Sequence, residues 1–145
     1  MALQMDAAEL MEFLNEVFPQ VREEFAVEAL SENEILMRLR IQDKHLRPGG
    51  TVSGPSMFAL ADCSAYAMVL ARIGRQALAV TTNCSMDFMR KPASGVDLMA
   101  NCRLLKFGRS LAVCDILIHS IGQEAAVARA NMTYSIPPAR DPKPE

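Results

Sequence analysis

Asp62 stands inside "SMFALADCSAY", residues 56–66, surrounded by Met57, Phe58, Ala59, Leu60 and Ala65. At helical spacing its side chain lies over Phe58 and Ala59 on one side and over Ala65 and Tyr66 on the other. An ionised carboxylate without partners in such surroundings costs several kcal/mol or shifts its pKa upward, so this one either finds partners or is a perturbed carboxylate poised in a pocket. Just upstream, "GGTVSGP", residues 49–55, delivers the chain to the start of the same helix. There the first amides lack intrahelical acceptors and the helix dipole is positive. Pro55 has no N–H, which leaves Gly54 and Ser56 as donors, and Gly54 has no side chain to obstruct a carbonyl oxygen. Such an amide suits a developing oxyanion. Thr82 adds a hydroxyl to an otherwise apolar strand face made of Val80, Cys84, Met86 and Phe88.

Each group also has a plainer reading. Asp62 can accept hydrogen bonds from Tyr66 or Ser64, or pair with an arginine across a subunit interface. Ser53 can cap the helix, with Pro55 in its first turn and the glycines making the bend. Thr82 can be an ordinary β-branched strand residue. Arg90, Lys91, Lys106 and Arg109 flank strand ends, where they either form a solvated rim or meet phosphates. His45 and His119 have no spacing that suggests a metal site or triad, so surface or rim roles are expected. Cys63, Cys84, Cys102 and Cys114 are too far apart for a metal knuckle or redox pair and read as small buried hydrophobes.

Positioning these groups requires a helix, a loop and strands. "DAAELMEFLNEVF" spaces Leu10, Leu14 and Val17 on one helical face, with Asp6 as cap and Pro19 as stop. "EFAVEAL" and "ILMRLRIQ" form a hairpin about "SENE", with Ile35, Met37, Leu39 and Ile41 on one face. The second helix runs from about Ser56 to Ile73, with Gly74 as its stop. Apart from Asp62 it is apolar all round, which predicts a buried helix. "AVTTNCSMDFM", "VDLMANCRLL", "SLAVCDILIHS" and "AAVARANMTYSI" then alternate as a meander of strands. The result is one α+β domain over residues 1–136, with the N-terminal helix in 1–20 and a charged, proline-rich tail at 137–145 expected to be disordered. One sheet covers a buried helix only by curling around it, and its open edges predict oligomerisation.

The bulk composition excludes several classes. A net charge of −2 and 6% aromatic content without Trp offer nothing to nucleic acid or an anionic membrane. Asp6, Glu9 and Glu12 interrupt the N-terminus before an apolar signal region forms, and Met57–Ile73 reads as short of a membrane span. A cytoplasmic, reducing compartment is expected.

"HLRPGGTVSGPSMFALAD", "AVTTNCSMDFMRKPASG" and "LLKFGRSLAVCDI" together resemble the hotdog-fold thioesterases of the phenylacetate-degradation (PaaI-like) group, over about residues 25–136. The resemblance implies a long central helix wrapped by a curved antiparallel sheet of five to six strands. It also implies a homodimer with a continuous sheet, often doubled to a homotetramer. The implied activity is hydrolysis of acyl-CoA thioesters, with Asp62 as base or nucleophile and the Gly54 amide on the thioester carbonyl. Thr82 would position water or the carboxylate, and the carboxylate and amide of one site would come from different subunits. No metal or redox cofactor is implied, and CoA enters as part of the substrate. Arg47, Ser53, Ser56 and Tyr66 would surround the reacting groups, with Arg90, Lys91 and Arg109 towards the CoA phosphates. Two positions depart from the group's pattern: Ser53 replaces the histidine of the usual "HGG", and Arg47 stands where Asn or Gln is common. The alternatives are a non-catalytic acyl-CoA-binding protein, which the missing histidine favours, and an enoyl-thioester hydratase or dehydratase. The hydratase would want a histidine near the carboxylate.

Overall fold

The computed structural model describes residues 2–138. Helix α1 spans Ala7–Val17, and Asp6 caps it by accepting the Glu9 amide at 2.8 Å. Leu10, Phe13 and Leu14 form its buried face, so Phe13 takes the place expected of Val17. After a 3-10 turn at Pro19–Val21 come β1 (Phe25–Leu30) and β2 (Glu34–Leu39), paired as the expected hairpin. Helix α2 covers Gly54–Ile73, followed by β3 (Val80–Phe88), β4 (Leu98–Phe107), β5 (Leu111–Ser120) and β6 (Ala126–Ser135). The six strands form one antiparallel sheet in the order β1-β2-β4-β5-β6-β3, wrapped on α2 in the hotdog arrangement.

That order corrects the simple meander. Strand β3 does not pair with β4: it lies outside β6 at the sheet edge, and β4 lies against β2. A tight turn makes sequence neighbours pair, but residues 89–97 form a longer connection that carries the chain across the sheet. The β4–β5 and β5–β6 hairpins are as expected.

The core is the inner face of α2 against the concave side of the sheet. Leu60, Ala61, Ala65, Met68 and Leu70 are sealed against inward residues such as Met37, Leu98, Ile116 and Met132. The alanines let the strands approach closely. The expectation that α2 is covered on every side fails in its first half. Pro55, Phe58 and Ala59 are exposed there, with Phe58 at 40%, because the curled sheet stops at β3 and leaves that stripe open. By length and mean hydropathy α2 could cross a membrane, contrary to the shorter span expected, but two thirds of it is buried as the core helix. Of the cysteines, Cys63, Cys102 and Cys114 are buried as expected, while Cys84 on β3 is exposed. The tail reading at 137–145 falls almost wholly outside the described residues.

Candidate active site

Asp62 sits on the border between the buried and open faces of α2, with two hydroxyls aimed at one of its oxygens. Thr81 Oγ1 donates to Asp62 Oδ1 at 2.7 Å, and the Tyr134 hydroxyl reaches the same oxygen at 2.5 Å. The Tyr134 oxygen also lies 3.0 Å from the Asp62 main-chain carbonyl. Sheet register brings the two donors together. Thr81 on β3 is directly opposite Tyr134 on β6, and opposite residues of an antiparallel pair share a face.

The sequence reading chose Thr82, and the structure brings Thr81 to Asp62 instead. Thr81 pairs with Tyr134 and Asn83 with Thr133, so Thr82 is the extra residue of a β-bulge. Past the bulge, Cys84, Met86 and Phe88 oppose the inward residues Met132, Ala130 and Ala128. Before it, the inward residue is Thr81. One inserted residue reverses a period-2 pattern, so strict alternation carried back from Phe88 lands on the wrong threonine. Thr82 itself donates to the Thr133 carbonyl at 3.3 Å.

Asp62 opens on a cavity of about 700 Å³ whose lining includes Phe18, Phe25, Phe58, Tyr66, Val80 and Tyr134. Tyr66 stacks on Tyr134, with ring centroids 6.1 Å apart, and donates its hydroxyl to the Ala77 carbonyl at 2.7 Å. Burial, followed by the charge of Asp62 and the hydrogen bond to it, drives the Tyr134 phenol far above its usual value, so it remains a donor. Cys63 lines the same cavity, and burial first, then the Asp62 charge, pushes its thiol up to about 12. It is a neutral thiol rather than a nucleophile.

The glycine loop is built as its composition suggests. Ser53 caps α2, accepting the Ser56 amide at 3.3 Å and donating to the Ser56 hydroxyl at 3.0 Å. The Gly54 amide is left among the first-turn donors that the helix does not satisfy. His45 braces this loop, correcting the surface role expected of it. It is buried, its Nδ1 accepts the Gln42 amide at 2.9 Å, and its Nε2 meets Glu24 at 2.7 Å. Its carbonyl takes the Ser53 amide at 2.8 Å. Nδ1 is therefore the acceptor and Nε2 carries the proton.

Gly54 lies in a second cavity, about 270 Å³, with Arg47, Met57, Phe88, Arg90 and Lys91 on its walls. A Cβ at Gly54 would touch the Phe88 ring at 3.4 Å. Arg90 also donates to the Ala126 carbonyl at 2.9 Å. None of the ion pairs among the described residues involves Asp62 or Arg47, so Arg47 does not neutralise Asp62 within the chain. Gly54 and Asp62 are on one helix, about 12 Å apart along its axis at roughly 1.5 Å per residue. One carbonyl group cannot meet both within a single chain.

Arg109 does not join this group. It lines a cavity of about 450 Å³ with Arg72 and Ile73, at the opposite end of α2. His119 lines a further depression beside Arg38 and Met99. Tyr134 was missed by the sequence reading, although a signal existed. A tyrosine at an inward position of β6 must find a partner for its hydroxyl, and Asp62 is the acceptor within the apolar helix.

The carboxylate is thus held by two hydroxyls at a cavity mouth, on a helix wrapped by a curled sheet in the hotdog arrangement. The chain belongs to the thioesterase superfamily, whose family model matches residues 49–134. A Pseudomonas aeruginosa protein provisionally named an esterase is 32% identical over 108 residues, covering 74% of this chain and 78% of its own. A crystal structure from Silicibacter sp. TM1040, provisionally named a thioesterase, is 65% identical with a TM-score of 0.90, covering 95% of this chain and 96% of that one. Two more distant structures share the fold. The PaaI protein of the E. coli phenylacetic acid degradation operon is 20% identical with a TM-score of 0.76, over 89% of this chain and 91% of its own. A Streptococcus mutans protein bound to acetyl-CoA is 22% identical with a TM-score of 0.70, over 82% and 93%. The fold and enzyme class expected from the sequence are met: this is a hotdog-fold thioesterase.

Proposed function

We propose that the protein hydrolyses acyl-CoA thioesters at a site shared by two copies of the chain, with the carboxylate from one and the Gly54 amide from the other. The observation that carries this reading is Asp62 itself, pinned at Oδ1 by Thr81 and Tyr134 at the mouth of a cavity large enough for an acyl group. Asp62 takes a proton from water as the water oxygen attacks the thioester carbon. The oxyanion forms on the Gly54 amide, and its collapse breaks the C–S bond and expels the CoA thiolate, which takes up the proton. A positioned base and an amide oxyanion donor each contribute about 2–4 kcal/mol to such a step.

Dimerisation is supported by the exposed edge strand β3, the open stripe at Phe58 and the separation of Gly54 from Asp62 within one chain. A dimer of dimers extends the same reading. Arg47, Arg90 and Lys91 beside Gly54 provide cations for the CoA phosphates, and the acetyl-CoA-bound relative of the same fold supports that substrate. The aromatic lining around Asp62 favours a bulky apolar acyl group. Met57 lies in the Gly54 cavity. The free cysteines support a cytoplasmic location. Against a hydratase, His45 is committed to Glu24 and the Gln42 amide, and His119 lines a separate depression.

Thiol release across a panel of acyl-CoAs, with Asp62→Asn beside the native protein, tests this. Release by the native enzyme and its loss in the variant are expected. Binding without release would establish a non-catalytic role instead.

A further inference from the structure

The geometry points to a division of labour between the two oxygens of Asp62: Oδ1 is an anchoring oxygen, Oδ2 is the reacting one, and Tyr134 is the positioning residue that enforces the difference. This rests on the proposed hydrolysis and names the atom that performs it. A carboxylate oxygen has two strong acceptor directions. Both are used on Oδ1, by Thr81 at 2.7 Å and Tyr134 at 2.5 Å. Oδ2 accepts from no group among the described residues. Nor is it sealed in packing, since the one buried unpartnered side-chain atom among those residues is Arg72 Nε. Oδ2 is therefore the accessible oxygen of a side chain that lines the cavity.

The two donors are unequal in rigidity. Thr81 stands on the edge strand β3, which has a hydrogen-bonded neighbour on one side only within the chain. Tyr134 is 2% exposed in the sheet interior, its ring held against Tyr66, and Tyr66 is tethered in turn to the Ala77 carbonyl. A buried phenol has one proton to give and no water to share it with. Its oxygen also lies 3.0 Å from the Asp62 main-chain carbonyl, but its one proton goes to the nearer, charged Oδ1. With Oδ1 fixed, rotation about the Cβ–Cγ bond is blocked and Oδ2 faces the substrate in every turnover. Without Tyr134 the carboxylate samples orientations in which neither oxygen meets the attacking water. Substrate binding, which does not use Oδ1, would remain.

The test is Tyr134→Phe, assayed by thiol release with whichever acyl-CoA the native enzyme turns over best. The expected result is a fall in kcat of about 10- to 100-fold, the range for deleting one hydrogen bond to a charged group, with KM changed by less than about twofold. Unchanged kcat, or a KM change as large as the kcat change, overturns the inference. If the phenylalanine variant fails to fold, replacing Tyr134 alone with 3,5-difluorotyrosine keeps the ring and shape but makes the phenol more acidic. The acidic limb of the kcat–pH profile must then move in the fluorinated enzyme, and an unmoved limb overturns the inference. Asp62→Asn separates the two levels. If it still releases thiol, the proposed site is wrong; if it is dead while Tyr134→Phe is fully active, only the role of Tyr134 falls.

Discussion

Replacing Thr81 and Thr82 one at a time by valine puts the β-bulge of β3 to a kinetic test. Valine keeps the branched shape and removes only the hydroxyl. Thr81 donates to a carboxylate at 2.7 Å, and hydrogen bonds to charged groups contribute about 1.5–3 kcal/mol. Taken at the lower end of that range, the loss is about tenfold in kcat at 25 °C. Thr82 makes one bond to a neutral carbonyl at 3.3 Å from an exposed position. Its loss is worth about 0.5 kcal/mol, or roughly a twofold change. Steady-state thiol release for the native protein and both variants, with thermal unfolding as a control for folding, measures the contrast. Thr81→Val is expected about tenfold slower in kcat and Thr82→Val within about twofold, with both variants folded at the assay temperature. If Thr82→Val is the more damaging, the bulge does not reverse the strand where the register says it does. The inward hydroxyl would then be the one that simple alternation predicts.

Other outcomes follow from the same geometry. Gly54→Pro removes the amide hydrogen while leaving a residue suited to a first helical position, and Ser53 at φ −75°, ψ 157° already has the backbone a following proline requires. kcat should fall about 10²- to 10³-fold with the fold intact by circular dichroism, and retained activity would remove Gly54 from the site. Phe88→Asp places a charge on the exposed edge strand, where Phe88 is 54% exposed, and should shift the protein to monomer in sedimentation with loss of turnover. A monomeric native protein that is fully active would refute the shared site. Glu24 offers a pH test. Burial alone would raise its carboxyl, but the hydrogen bonds and charges of His45 and Lys44 outweigh that and hold it below its ordinary 4.5. The stabilisation is thus present above that value and lost as pH falls through the lower folded-state value. Glu24→Gln should unfold more readily than the native protein at pH 7, and denaturant titrations should show the gap closing below about pH 4.5.

Much of the architecture was legible because it depends on local chemistry. Asp6 and Glu9 cap α1, Ser53 and Pro55 start α2, and alternation marks the strands, since caps and periodicities are properties of a few neighbouring residues. Asp62 stood out because a charge within an apolar helix needs a reason, and its position between packed and open faces is that reason. Three features were hidden. The place of β3 beyond β6 depends on a crossover, which no local pattern encodes. The bulge at Thr82 is a mismatch between two strands and exists only once they pair. The burial of His45 depends on Glu24, 21 residues away, which supplies the acceptor that lets an imidazole leave water.

From the chain alone came the chemical parts: a carboxylate in an apolar helix, a glycine amide at that helix's start, and hydroxyls on the strands that must pass it. Tertiary structure decided which hydroxyls arrive. A one-residue slip in pairing turns a side chain to the opposite face of the sheet, so register, which no single strand possesses, selected Thr81 and Tyr134 and left Thr82 bonded to the backbone.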